Sequence, residues 1–172
     1  MDLNALHTLS YGVYVVTSKW ENEFSGCAIT TAMQLTGSEP YRMMVAINKE
    51  NYTHELIHKS KKANISVLNT QANLELIGHF GFRTGRQYDK LQKVELKNGK
   101  NNVPFLTQNA IAYFETKVIN EVDVGTHTVF ILELEEAEKL GSGEPLTYEY
   151  YHRVIKGTTP PKASSYIAPH NG

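Results

Sequence analysis

The sequence predicts a mainly β protein, an antiparallel barrel with short helical insertions, and three observations carry that prediction. Segments rich in β-branched and aromatic residues fall early and late in the chain, with the helical signals between them. The two longest such segments, 110–124 and 127–140, are joined by nothing more than Gly125-Thr126. No G-x-G-x-x-G follows a strand, so a wound parallel dinucleotide-binding sheet is not indicated.

Taken in order, "YGVYVVTSK" (11–19) reads as the first strand and "EFSGCAIT" (23–30) as the second, after the turn-prone "WEN". "YRMMVAIN" (41–48) is a continuous apolar run, as expected of a strand buried on both faces. "ANISVLN" (63–69) is a fourth strand. In 127–140, Phe130, Leu132 and Leu134 alternate with Ile131, Glu133 and Glu135, which gives one buried and one wetter face. "THELIHKSKK" (53–62) predicts a helix with Thr53 as N-cap and a basic last turn that complements the helix dipole. "NLELIGHF" (73–80) spaces Leu74, Ile77 and Phe80 for a second helix, broken by Gly78, Gly81 and Gly85. "DKLQKVEL" (89–96) suggests the start of a third. There is no internal repeat. From Gly157 the chain, "GTTPPKASSYIAPHNG", is low in large apolar residues and rich in Pro and Ser. The expectation is a barrel domain over 1–156 and a tail or arm over 157–172.

The chain has 172 residues and 41% hydrophobic residues, enough for one domain with a proper core. Lys and Arg number 17 against 18 Asp and Glu, a balance that offers no global attraction to nucleic acid or an anionic membrane. Any anion site must be local. Cys27 is the only cysteine, so no internal disulfide and no cysteine metal cluster can form, which fits a reducing compartment. No apolar run is long enough to span a bilayer, and the start of the chain lacks a basic, signal-like region. The expected location is cytoplasmic, with neither nucleic acid nor membrane as partner. His54 and His58 stand four apart on one helix face, but without a third ligand they do not make a zinc site. Cys27 reads as a packed small residue.

Three clusters could hold a phosphate ester. Thr30-Thr31 puts two hydroxyls at a strand end; Asn48, Lys49, Asn51 and Thr53 surround a helix start; Arg83, Arg86 and Lys90 lie among glycines. Hydroxyls, cations and the free N–H groups of a helix N-terminus are the groups that bind such an anion. Each also has a plainer reading: Thr53 as an ordinary cap, Thr30-Thr31 as β-propensity, "FRTGRQYDK" as a solvated loop.

In their order along the chain these segments resemble the flavin reductase-like family, the FMN-binding split β-barrel. "GVYVVTSKWENEFSGCAITTAMQLT" is similar to that family's opening hairpin and flavin loop, "VAINKENYTHELI" to its strand and phosphate segment. "FGFRTGRQYDKL" is similar to its F-x-G-x-x-G-x-x-x-D-K pattern, shifted because Gly81 directly follows Phe80. "VGTHTVFILELEEA" resembles its Gly-Asp-His strand start, with Thr126 where Asp is common, and "PLTYEYYHRV" its closing segment with paired tyrosines.

The resemblance implies an FMN-dependent oxidoreductase, an NAD(P)H:flavin reductase working as a homodimer with NADH or NADPH as donor. It implies that Ile29, Thr30, Thr31, Ala32 and Met33 face the FMN ring and ribityl phosphate. Asn48, Lys49, Asn51 and Thr53 would continue the cradle, Lys90 would close on the phosphate, and His127 would act on the donor side. The tail resembles the linker of proteins in which such a domain is fused to rubredoxin, so a rubredoxin or other iron–sulfur carrier is an implied partner. Two alternatives remain at this level: a flavoredoxin reduced by a protein, and a barrel that holds haem or another ligand without turnover.

Overall fold

The computed structural model describes residues 1–90 and 92–167; the end of the expected tail, with His170, lies outside the described residues. After a 3₁₀ turn, Leu3–Thr8, come β1 (Tyr14–Trp20), β2 (Glu23–Ile29), β3 (Ala32–Gln34) and β4 (Arg42–Asn48). Then follow α1 (Tyr52–Ser60), β5 (Lys62–Leu68), α2 (Leu74–Gly81), the short β6 (Leu96–Asn98) and β7 (Pro104–Leu106), β8 (Ala110–Asp123), β9 (His127–Lys139) and α3 (Tyr148–Arg153).

Seven strands form one antiparallel sheet in the order β2-β1-β5-β8-β9-β4-β3. Its two edges are β2 and β3, yet the chain passes from one to the other through Thr30-Thr31 alone. Two linking residues span at most about 10 Å. The sheet must therefore curl until its edges nearly meet, as a barrel with a split, and Thr30-Thr31 bridges that split. Thr31 accepts the Ala46 N–H at 3.3 Å, which ties the bridge to β4.

The period-2 pattern of β1 sends alternate residues to two cores. Val16, opposite Cys27 and Ile65, joins Val45, Ile47, Phe130 and Leu132 inside the barrel, with Ile57 of α1 inserted. Val13 and Val15 face the other way, where Leu76, Ile77 and Phe80 of α2 and Tyr151 of α3 cover them. Val45, Ala46 and Ile47 are buried in succession, which is the two-faced burial that the apolar run of β4 predicts.

Two local expectations give way. Asn51, not Thr53, caps α1, its side chain accepting the Thr53 N–H at 3.0 Å. Thr53 is inside the first turn and fully buried, its hydroxyl donating to Ser25 Oγ at 3.0 Å. No helix forms over 89–96 among the described residues: Lys93 sits at φ 64°, a left-handed conformation that helices of L-residues do not continue through. The third helix comes instead at Tyr148, where Thr147 accepts the Tyr150 N–H as N-cap.

Candidate functional site

A cleft opens where the barrel splits. One wall is apolar, from Ala28 and Ile29 of β2, Ala46 and Ile47 of β4, and Ile77 and Phe82 at α2. A polar edge carries Thr30, Asn48, Asn51 and His127. Tyr148 and Tyr151 of α3 close one side, and the segment after Gly157 crosses the top.

Register explains why these residues meet. Asn48 and His127 are directly paired partners at the ends of β4 and β9, so they share one face at the rim. Asn51 is three residues further on, where β4 has turned into α1. Asn48 Oδ1 accepts the Glu50 N–H at 2.9 Å and so fixes that turn. The N-terminal turn of α1, with its positive dipole end, thus stands beside the threonines across the split. The apolar wall fits a flat aromatic ring, and the hydroxyls and amides at the helix start fit a phosphate ester.

His127 is half-buried, and burial pushes its imidazole below its ordinary value, with a hydrogen bond to the Lys162 backbone acting the other way. At neutral pH it is the uncharged ring that lines the cleft. Thr126 supplies a partner on one side, its hydroxyl 2.9 Å from Nδ1.

Not every predicted residue comes to the cleft. Ile29, Thr30, Asn48, Asn51 and His127 line it; Thr31 touches it through Ser164 at 2.7 Å. Ala32 packs toward the barrel core, and Met33 is exposed on the outer face of β3. Lys49 is turned to Asp123 at 2.5 Å. Thr53 is buried behind the turn. Lys90 is buried as well, its amine donating to Gly26 O at 2.7 Å and Phe80 O at 3.2 Å, away from the cleft. Burial lowers that amine to about 8.

Arg83 and Arg86 also lie elsewhere, Arg83 over the Tyr88 ring and Arg86 over the Tyr52 ring. His54 approaches Thr128 Oγ1 at 2.8 Å while His58 pairs with Glu121 at 2.6 Å. Among the described residues, no three His, Cys, Asp or Glu side chains are placed to hold a metal. Cys27 is buried, which pushes its thiol up and keeps it unreactive.

Residues 6–159 match the family described as Flavin reductase like domain. The chain belongs to that family. It is 45% identical over 167 residues to the ferric-chelate reductase (NAD(P)H) of Archaeoglobus fulgidus, covering 97% of this chain and 98% of that protein. It is 43% identical to the high molecular weight rubredoxin of Moorella thermoacetica, covering 96% of this chain and 72% of that one. Among solved structures it resembles an FMN-binding protein from Thermus thermophilus, with a TM-score of 0.72 and 23% identity over 78% of this chain and 74% of that. The flavin reductase HpaC, solved with NADP+, gives 0.72 and 22% over 84% and 89%. At such identities the structures establish the fold and bear out the split barrel; the flavin-reductase reading of the ordered motifs is borne out by the family match and the relatives.

Within the family frame, Tyr148 and Tyr151 of "PLTYEYYHRV" are part of the cleft, a placement that no spacing in the sequence announced. The segment after Gly157 is the larger surprise. Gly157 lies flat on the Tyr151 ring, where any Cβ would fall 2.0 Å from the ring carbon Cζ, and this contact aims the chain back over the cleft.

Proposed function

We propose that this protein is an NAD(P)H-dependent flavin reductase that holds FMN at the barrel split and passes the electrons to a flavin, ferric or protein acceptor. The observation that carries the reading is the convergence of Thr30, Thr31, Asn48 and Asn51 on one edge of an apolar cleft at the start of α1. Bound FMN supplies the redox chemistry, taking two electrons from the nicotinamide. The protein's part is to orient and shield. Thr30, Thr31, Asn48, Asn51 and the first turn of α1 would hold the phosphate and ribityl chain, while Ala28, Ile29, Ala46 and Phe82 exclude water from the ring. His127, uncharged at the rim, would hydrogen-bond the nicotinamide carboxamide and so position the donor.

The relatives support this reading: one carries the name ferric-chelate reductase (NAD(P)H), another the name rubredoxin. A rubredoxin is accordingly the protein acceptor we favour. This chain's single buried cysteine cannot hold an iron–sulfur centre, so that carrier would be a separate protein or domain. A homodimer is part of the proposal, for reasons of surface given below. No helix among the described residues is long and apolar enough to cross a membrane, and the cytoplasm is the location we propose.

The test is direct. Purified protein titrated with FMN should turn yellow and quench the flavin's fluorescence, and NADH or NADPH added without oxygen should bleach it. Bleaching only by a reduced protein carrier would replace the reading with a flavoredoxin; a red, haem-bearing protein would overturn it.

A further inference from the structure

The segment after Gly157 uses the same groups that the proposed flavin site needs. Its root is fixed on α3: Tyr151 Oη donates to Thr158 O at 2.9 Å, His152 Nδ1 meets Gly157 O at 2.8 Å, and Tyr148 Oη meets the Thr159 hydroxyl. Its tip is held on the cleft edge. Ser164 Oγ lies 2.7 Å from Thr31 Oγ1, and Thr30 Oγ1 donates to Ser165 Oγ at 3.0 Å. Asn48 Nδ2 donates to Lys162 O at 3.2 Å, and the Lys162 amine pairs with Glu50. Root and tip are separated by Pro160-Pro161, a stiff joint.

The two ends differ in strength. Root contacts are half-buried against aromatic rings, whereas most tip contacts are exposed, and an exposed pair such as Lys162–Glu50 contributes little. With the tip in place the cleft keeps about 70 Å³ of free volume. Pockets for ligands of cofactor size run to about 300–1,000 Å³. Tip and phosphate ester cannot both use Thr30, Thr31 and Asn48. The family match, moreover, ends at residue 159, before the tip begins.

We infer that residues 162–165 form a displaceable strap over the flavin cleft, whose Ser164 and Ser165 hydroxyls stand on Thr30 and Thr31 where the flavin's phosphate and ribityl hydroxyls bind. Flavin entry and release of the strap are then one coupled step, with the root on α3 unmoved. The inference rests on the flavin site proposed above. Its consequence is thermodynamic: the apparent affinity for FMN is the intrinsic affinity reduced by the fraction of molecules with the strap open. The strap thereby weakens FMN binding without altering the groups that hold it.

FMN titrated into the full chain and into the Ser164→Ala/Ser165→Ala variant tests this. Loss of the Thr31–Ser164 and Thr30–Ser165 hydrogen bonds, one exposed and one half-buried, from the closed form should tighten FMN binding by about five- to tenfold. Hydrogen exchange of the unaltered protein should show 162–167 losing protection when FMN is added, while 148–157 keeps it. Equal affinity in the two proteins overturns the strap, as does weaker binding by the variant, which would make the serines flavin ligands. A tip whose protection is unchanged or increased by bound FMN overturns it too. No FMN binding by either protein overturns the flavin reading, and the strap with it.

Discussion

Lys90 shows how far one side chain's neighbours can redirect its role. The family likeness implies a phosphate contact, but its amine is buried between the carbonyl of Gly26 in β2 and that of Phe80 in the last turn of α2. A cation there satisfies a helix-end carbonyl and fastens α2 to the barrel. Lys90→Met is expected to leave FMN affinity unchanged and to lower stability by about 1–3 kcal/mol at neutral pH, read by urea unfolding. Burial holds the amine near 8 in the folded protein against 10.5 unfolded. Between those values the unfolded chain binds more protons, so this residue's contribution to stability rises with pH across that window. The stability difference between the native protein and the variant should widen accordingly, by up to about 3 kcal/mol. His127 is the opposite case, a rim residue with a job in the cleft. His127→Ala should keep FMN binding and slow reduction by NADH about tenfold, chiefly through a raised KM, the loss of about one hydrogen bond. Because burial depresses this imidazole, it is neutral above its ordinary value and charges only as pH falls below it. The rate carried by His127 should be level above about pH 6.5 and fall in more acid solution; an unchanged profile in the alanine variant would remove the residue from that role.

At the scale of elements, the site depends on the junction of β4 and α1. Asn48 fixes the turn, Asn51 caps the helix, and both face the cleft. Asn51 therefore carries two functions that one substitution removes together. Asn51→Ala should cost about 1 kcal/mol of stability as a lost cap and weaken FMN binding, whereas Asn51→Asp should keep the cap and still repel the phosphate. Thermal unfolding and FMN titration of the two variants separate the effects. Equal FMN affinity in all three proteins would exclude Asn51 from the phosphate site.

For the whole molecule, the outer face of β3, β4 and β9 is the notable surface. Met33, Met44 and Ile131 stand in one register row, and Ala46 beside Val129 in the next. Met33 is 55% exposed, and Val122 on the neighbouring β8 is 43% exposed. This apolar strip runs into the cleft through Ala46, so a second copy seated on it would border the flavin site. Sedimentation should show a dimer at micromolar concentration, and Met44→Glu should shift it toward monomer by placing a charge in that contact. A native protein that sediments as a monomer with FMN bound would refute the arrangement.

Local chemistry wrote six of the nine strands among the described residues and two of the helices into the chain: alternating Phe130, Ile131, Leu132 and Glu133, the apolar run of β4, the basic end of α1. Thr30-Thr31, Asn48 and Asn51 stood out as polar residues at the ends of apolar segments, each with a plainer reading, and only the likeness to the flavin reductases implied a cofactor role for them and for His127; the folded chain brings all five to one cleft. What the sequence could not decide is whatever depends on the direction of a side chain after the sheet curls. Lys90 and Thr53, implied as phosphate contacts, are buried away from the cleft, since Gly26 O and Ser25 Oγ, which receive them, lie 64 and 28 residues away in the chain and Phe80 O ends a helix whose direction only packing sets. Short β3 was invisible, three residues being too few to show a period, yet it is the edge that forces the split. The tail read as polar and unattached because its partners, Thr30, Thr31 and Asn48, are 114 to 135 residues away in the chain. Only closure of the barrel brings that distance to hydrogen-bond length.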